Sequence, residues 1–128
     1  MHQDTRRLRE VMRPALSIGP NESIRRAAER MAEANLPAIS VIEEGRVVGL
    51  LSNRDLVGKA VAQSLSADDT TVSEVMNSRP VRVSDDRDVP SALLVMQACG
   101  VHELLVQDFT GRVVGIFCDC GCCDREKK

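Results

Sequence analysis

GRVVGLL at residues 45–51 and GRVVGIF at residues 111–117 share five of seven residues, and this recurrence divides the chain. Working outward, VMRPALSI (11–18) answers to VMNSRPVRV (75–83), and NESIRRAAERMAE (21–33) answers to DRDVPSALLVMQA (86–98). The offset is 64 at the VM pairs, 65 through the next segment and 66 at GRVVG, so one unit occurs twice with two small insertions. A repeated unit points to stacked copies that bury a shared face.

Each copy has the same internal order. After VM comes a short extended segment, residues 15–18 and 81–83. Ile24, Ala27, Ala28 and Met31 in the first copy fall at i, i+3, i+4, i+7, as do Val89, Ala92, Leu93 and Met96 in the second. That spacing predicts a helix with one apolar stripe in each. Ser23 and Asp88 are placed as N-caps, Pro90 sits in a first turn where a missing N–H costs little, and Asn35 and Gly100 are suited to end the helices. Residues 38–42 and 104–107 read as strands. The turns EEG (43–45) and DFTG (108–111) lead back into RVVGLL and RVVGIF, which predicts two antiparallel hairpins. In the first copy a second helix is predicted from Asp55 to Leu65, with Leu56, Val57, Ala60 and Val61 on one face. SADDTT (66–71) is a polar link. The predicted class is α/β, β-α-β-β-α twice, with small sheets packed on helices. The first repeat is expected at 1–65, the second at 66–123 with a Cys-rich end, and a charged tail at 124–128.

The totals narrow the function. The 128 residues suffice for a real core, and with aromatics at 2% that core must be aliphatic. Stacking platforms for single-stranded nucleic acid are nearly absent. A net charge of -2 creates no field that draws DNA or anionic membrane. No apolar run is long enough to span a bilayer, and MHQDTRRLRE lacks the apolar stretch of a secretory signal. The expectation is a cytoplasmic protein whose partners include neither membrane nor nucleic acid. No Ser-His-Asp or Cys-His set can be assembled from two His, one of them at position 2, and GxxxxGK[ST] is absent. The chain reads as non-catalytic.

Two stretches carry polar chemistry. In GLLSNRD (49–55) a strand ends on Ser52 and meets Asp55 three residues later. Ser-x-x-Asp reads as a capping box or as a grip for a nucleotide. A helix start presents free N–H groups to phosphate, Arg54 offers a planar cationic fork, and a carboxylate binds sugar hydroxyls through charge-assisted hydrogen bonds. The second stretch holds Cys118, Cys120, Cys122 and Cys123. An odd total of five Cys, four of them crowded at one end, is not a secreted disulfide framework. The spacing C-x-C-x-C-C does not match a zinc finger. It offers thiolates to a soft metal such as Zn²⁺ or Cu(I), a redox sensor with thiols activated by Arg125, Lys127 and Lys128, or an incidental tail. Cys99 is expected to be a small buried hydrophobe.

From Val11 to Phe117 the chain resembles the CBS domain, and the tandem pair resembles a Bateman module. The VM start of each copy, the Met closing each first helix, GRVVG and the following SNRD carry the likeness. The resemblance implies two repeats related by a pseudo-twofold and a regulatory sensor. It would bind an adenine-containing ligand (AMP, ATP, NAD or S-adenosylmethionine) between the copies and signal by a change of conformation or association. The implied roles are Asp55 on the ribose hydroxyls, and Ser52 and Arg54, flanking Asn53, toward phosphates. The adenine would lie near Ile18 and Leu50. Leu36-Pro37-Ala38 and its counterpart Val101-His102-Glu103 would lie where the family touches ligand. His102 would contact phosphate, respond to pH or face solvent at the rim. A homodimer is implied as well. In the second copy Cys118 stands where Ser52 does and Gly121 where Asp55 does, so one complete site is expected. The alternative is a metal-binding or redox-responsive protein acting through the Cys cluster, with the pair as a dimerisation scaffold.

Overall fold

The computed structural model describes residues 4–119. In chain order they form α1 (Leu8–Val11), β1 (Arg13–Pro14), β2 (Ser17–Ile18), α2 (Ile24–Ala34), β3 (Ala38–Glu43) and β4 (Arg46–Ser52). Next come α3 (Asn53–Asp55), running into a π-helical turn (Leu56–Val61), and α4 (Val72–Val75). The chain then forms β5 (Arg82–Ser84), α5 (Val89–Cys99), β6 (Glu103–Gln107) and β7 (Val113–Cys118). Among the described residues no helix is long and apolar enough to cross a membrane.

The two long helices lie where the apolar stripes predict them. Ser23 Oγ accepts a hydrogen bond from Arg26 N at 3.1 Å and Asp88 Oδ1 from Ser91 N at 2.8 Å. Each cap satisfies an amide that the helix itself leaves without a partner. Asn35 and Gly100 end the helices in the left-handed conformation. Ile24, Ala27 and Met31 of α2, and Val89, Ala92 and Met96 of α5, are buried. Cys99 is exposed, against expectation. It is the last residue of α5, and the stripe that reaches the core ends at Met96.

Both hairpins are antiparallel as predicted, and both carry a bulge at the same place, between Val41 and Ile42 and between Val106 and Gln107. Crossing over through α2, β2 pairs parallel with β3; through α5, β5 pairs parallel with β6. The sheet orders are β2-β3-β4 and β1-β7-β6-β5.

The compact units do not coincide with the ranges 1–65 and 66–123. One unit is Leu16–Pro80, and the other joins 4–15 to 81–119. In the second unit β1 adds to the free edge of β7, with Arg13 opposite Ile116 and Pro14 opposite Gly115. Leu8 and Val11 of α1 are buried there with Val83, Val89, Met96 and Phe117. In the first unit Val72 and Val75 of α4 are buried with Ile18, Ile24, Met31 and Leu51, and Leu50 and Asn77 exchange backbone hydrogen bonds of 2.9 and 2.8 Å. The repeated motif explains the exchange. A Cβ on Gly49 would lie 2.4 Å from Met76 Sδ, and one on Gly115 would lie 2.5 Å from Met12 Sδ. Each VM methionine thus packs over the second glycine of the GRVVG belonging to the other sequence copy. Only glycine leaves room for that approach.

The second helix of the first copy also differs from expectation. After three α-helical residues the chain widens, with Ala62 N donating to Val57 O and Leu65 N to Ala60 O, each at 2.9 Å. These are i→i+5 bonds, and Gly58 offers little support for an α-helix here. Ala60 is buried and Leu56 is half-buried, but Val57 and Val61 face outward. Of the four residues predicted on one apolar face, only Leu56 and Ala60 turn inward.

Candidate functional site

Directly paired residues share one face of a sheet. Ile39 opposite Leu51, and Val41 opposite Gly49, lie on the face packed by α2 and α4, and Ile18 pairs with Val41 on that same face. Ala38 opposite Ser52, and Ser40 opposite Leu50, line the other face. The structure therefore brings Ala38, Leu50 and Ser52 together and separates Ile18 from them. Ile18 is in the helix-packed core, not beside Leu50, because one residue of register flips a side chain to the opposite face.

The end of β4 is fastened to the chain entering β3 and to the turn that follows it. Leu36 is buried, its amide donating to Met31 O at 2.9 Å, and this directs Pro37 toward the sheet. The Pro37 carbonyl then accepts from Asn53 N at 2.9 Å. Ser52 is buried, with both its amide and its Oγ donating to Asp55 Oδ2 at 3.0 Å, and Asp55 N lies 3.2 Å from Ser52 Oγ. The box is thus closed by an Asp in place of the usual Glu or Gln. It keeps the Asp55 side chain only 15% exposed. Asn53 and Arg54 are exposed, and their side chains make no hydrogen bond or ion pair among the described residues.

Asp55 has a further neighbour that the sequence reading passed over. Lys59 Nζ lies 3.2 Å from Asp55 Oδ1 and donates to the Val75 carbonyl at 3.1 Å. The signal was present as an acid four residues ahead of a lysine. A carboxylate has about four acceptor directions. Ser52 and Lys59 occupy three of these, which leaves room on Oδ1 for a hydroxyl.

Val101 and His102 belong to the other unit. There Asp119 N donates to His102 O at 3.3 Å, the counterpart of the Asn53–Pro37 bond. The half-exposed His102 ring is paired through Nδ1 with Asp119 Oδ2 at 3.0 Å. Cys118 occupies the end of β7 as Ser52 does the end of β4, and it is buried. Cys120, Cys122 and Cys123, the remaining members of the proposed metal or redox cluster, lie outside the described residues, as does Gly121. Among the described residues no group of three or more His, Cys, Asp or Glu could hold a metal ion.

Comparison with known proteins fits this geometry. The family model of the CBS domain matches residues 8–61 and 72–119. The CBS domain-containing protein YhcV of Bacillus subtilis is 32% identical over 100 residues, which cover 78% of this chain and 70% of YhcV. Other curated relatives are longer, and the chain spans 54% of one and 18% of another. A CBS domain protein of Pyrobaculum aerophilum, PAE2072, solved in complex with AMP, is 27% identical with a TM-score of 0.77; the match covers 88% of this chain and 87% of that one. The CBS domain pair of protein MJ0100, solved with 5-methylthioadenosine and S-adenosyl-L-methionine, is 25% identical with a TM-score of 0.76, covering 88% and 92%. With two matched segments, a duplicated β-α-β-β order and structural neighbours of the same build, the chain belongs to the CBS domain family.

Proposed function

We propose that this chain is a regulatory, non-catalytic module that binds an adenine-containing nucleotide (AMP, ATP, NAD or S-adenosylmethionine) at the end of β4. The observation that carries this reading is the state of Asp55. Its carboxylate is held through Oδ2 by Ser52, while Oδ1 meets Lys59 and keeps one acceptor direction open, beside an Arg54 that has no side-chain partner among the described residues. Here the cap and the grip are one device: Oδ2 closes the turn and Oδ1 accepts a ribose hydroxyl. Asn53 and Arg54 face the phosphates, Ser52 acts through the Asp55 carboxylate that it holds, and the buried sheet face of Leu50 and Ala38 backs the position of the base. Pro37 and Leu36 hold the strand end, and Val101 and His102 are their counterparts in the other unit. The solved relatives with AMP and with S-adenosylmethionine support the ligand class.

The signal is a change of conformation or association, and it requires the ligand to favour one arrangement over another. The homodimer expected of the family fits an apolar groove of about 220 Å³ lined by Ile24, Ala28, Leu56, Ala60, Val61 and Leu65. Calorimetry of the protein with the four ligands tests the main reading, beside Asp55→Asn. Binding of at least one is expected, weakened about tenfold to a hundredfold in the variant, because a hydrogen bond to a charged group is lost. A folded wild-type protein that binds none of them refutes the proposal.

A further inference from the structure

Lys59 has a relation to Asp55 that neither the duplicated motif nor the turn geometry requires. Its ammonium is 3.2 Å from Oδ1 and donates to Val75 O at 3.1 Å. The opposite oxygen, Oδ2, is gripped by the amide and hydroxyl of Ser52. With one oxygen fixed by Ser52 and the other by Lys59, the carboxylate plane cannot rotate freely about its Cβ–Cγ bond. Lys59 is itself anchored. The four-residue α4 is too short to use the carbonyl of Val75, its last residue, in an i→i+4 bond, so that carbonyl is free to accept from the ammonium.

We infer that Lys59 is a positioning residue of the ligand site. It acts through Asp55, presetting the carboxylate so that its accessible oxygen meets the ribose without first being ordered, and it ties that carboxylate to the end of α4. Preorganised groups bind more tightly because less freedom is lost on association. This inference rests on the nucleotide reading of Asp55 given above. It makes a claim that reading does not: the effect of Lys59 reaches the ribose, which adenosine and AMP share, and not the phosphate, which only AMP carries.

The test is calorimetric titration of the full chain with adenosine and with AMP, for wild type, Lys59→Met and Lys59→Arg, with a melting temperature for each. Lys59→Met keeps the apolar stem and removes the charge. It is expected to weaken adenosine and AMP by the same factor, about fivefold to tenfold for a half-exposed charged contact. Lys59→Arg is expected to recover most of the loss, and the melting temperatures should stay close together. A loss confined to AMP would overturn the inference and assign Lys59 to the phosphate. Unchanged affinities, or an Arg variant no better than Met, would overturn it while leaving the nucleotide reading intact. Folded wild-type protein that binds neither adenosine nor AMP overturns this inference, and if it also binds none of ATP, NAD and S-adenosylmethionine the nucleotide reading falls with it; the wild-type titrations alone distinguish these outcomes from the others.

Discussion

Replacing Gly49 with Ala tests the packing that ties the two sequence copies together. The added methyl would sit 2.4 Å from Met76 Sδ, 3.0 Å from Met76 Cγ and 2.9 Å from the Asn77 carbonyl oxygen. The methionine can swing aside, because its side chain is flexible. The carbonyl cannot, since it accepts from Leu50 N at 2.9 Å within a reciprocal pair. Accommodation therefore requires β4 and the Asn77 segment to part, an overpacking cost of about 1–3 kcal/mol. For a chain of this length that is a drop in melting temperature of roughly 4–15 °C. Gly115→Ala meets Met12 Sδ at 2.5 Å and the Arg13 carbonyl at 2.7 Å, so its cost should be equal or larger. A double-mutant cycle separates the two contributions. In a Met76→Ala background the methionine clash is gone and the carbonyl contact remains, so Gly49→Ala should cost less there, though not zero. Urea denaturation of the four proteins measures the cycle. A Gly49→Ala protein as stable as wild type refutes the close-approach account. A cost unchanged by Met76→Ala refutes the part assigned to the methionine.

Three further outcomes follow from the described contacts. Asp88→Ala removes the acceptor for Ser91 N and should lower stability by about 1 kcal/mol in urea denaturation; no change would show that the cap contributes nothing. Glu74 accepts from the Thr71 backbone amide and, second, from its hydroxyl, which holds its carboxyl below the ordinary 4.5. The stability it contributes is then fully present above 4.5 and lost as pH falls below it. Glu74→Gln should therefore be less stable than wild type near neutrality and converge with it in acid, and parallel denaturation curves at every pH would contradict this. Val61, exposed beside the apolar groove, tests the proposed dimer: sedimentation velocity should show a dimer for wild type and a folded monomer for Val61→Asp, and a monomeric wild type removes that reading.

Much of the fold was legible because each signal was local. The stripes of α2 and α5, the caps at Ser23 and Asp88 and the hairpin turns all depend on neighbours within one or two helical turns. The parts that were not legible depend on distant partners. Nothing near Met12 shows that it will cover Gly115, so the repeat boundary looked like the structural boundary. The π-helical turn was missed because a 3.6-residue period was applied to a segment whose hydrogen bonds span five. At the candidate site Ser52 and Asp55 were legible as a pair, and the structure shows them closing the turn. The face that Ile18 takes is fixed by pairing with Val41, a register that the sequence does not print. Lys59 escaped notice because the family motif ends at Asp55, although the ion-pair spacing was in view.

The crossed arrangement of α1 and β1 with the second sheet, and of α4 with the first, governs how this protein can be dissected. A fragment severed between residues 65 and 66 would strip the first core of Val72 and Val75 and leave β7 with a bare edge. Residues 16–80 form an uninterrupted stretch that retains all of its own lining, so that segment is the one to transplant or express alone. The other half is discontinuous in sequence, 4–15 and 81–119, and would need its two pieces joined into one chain.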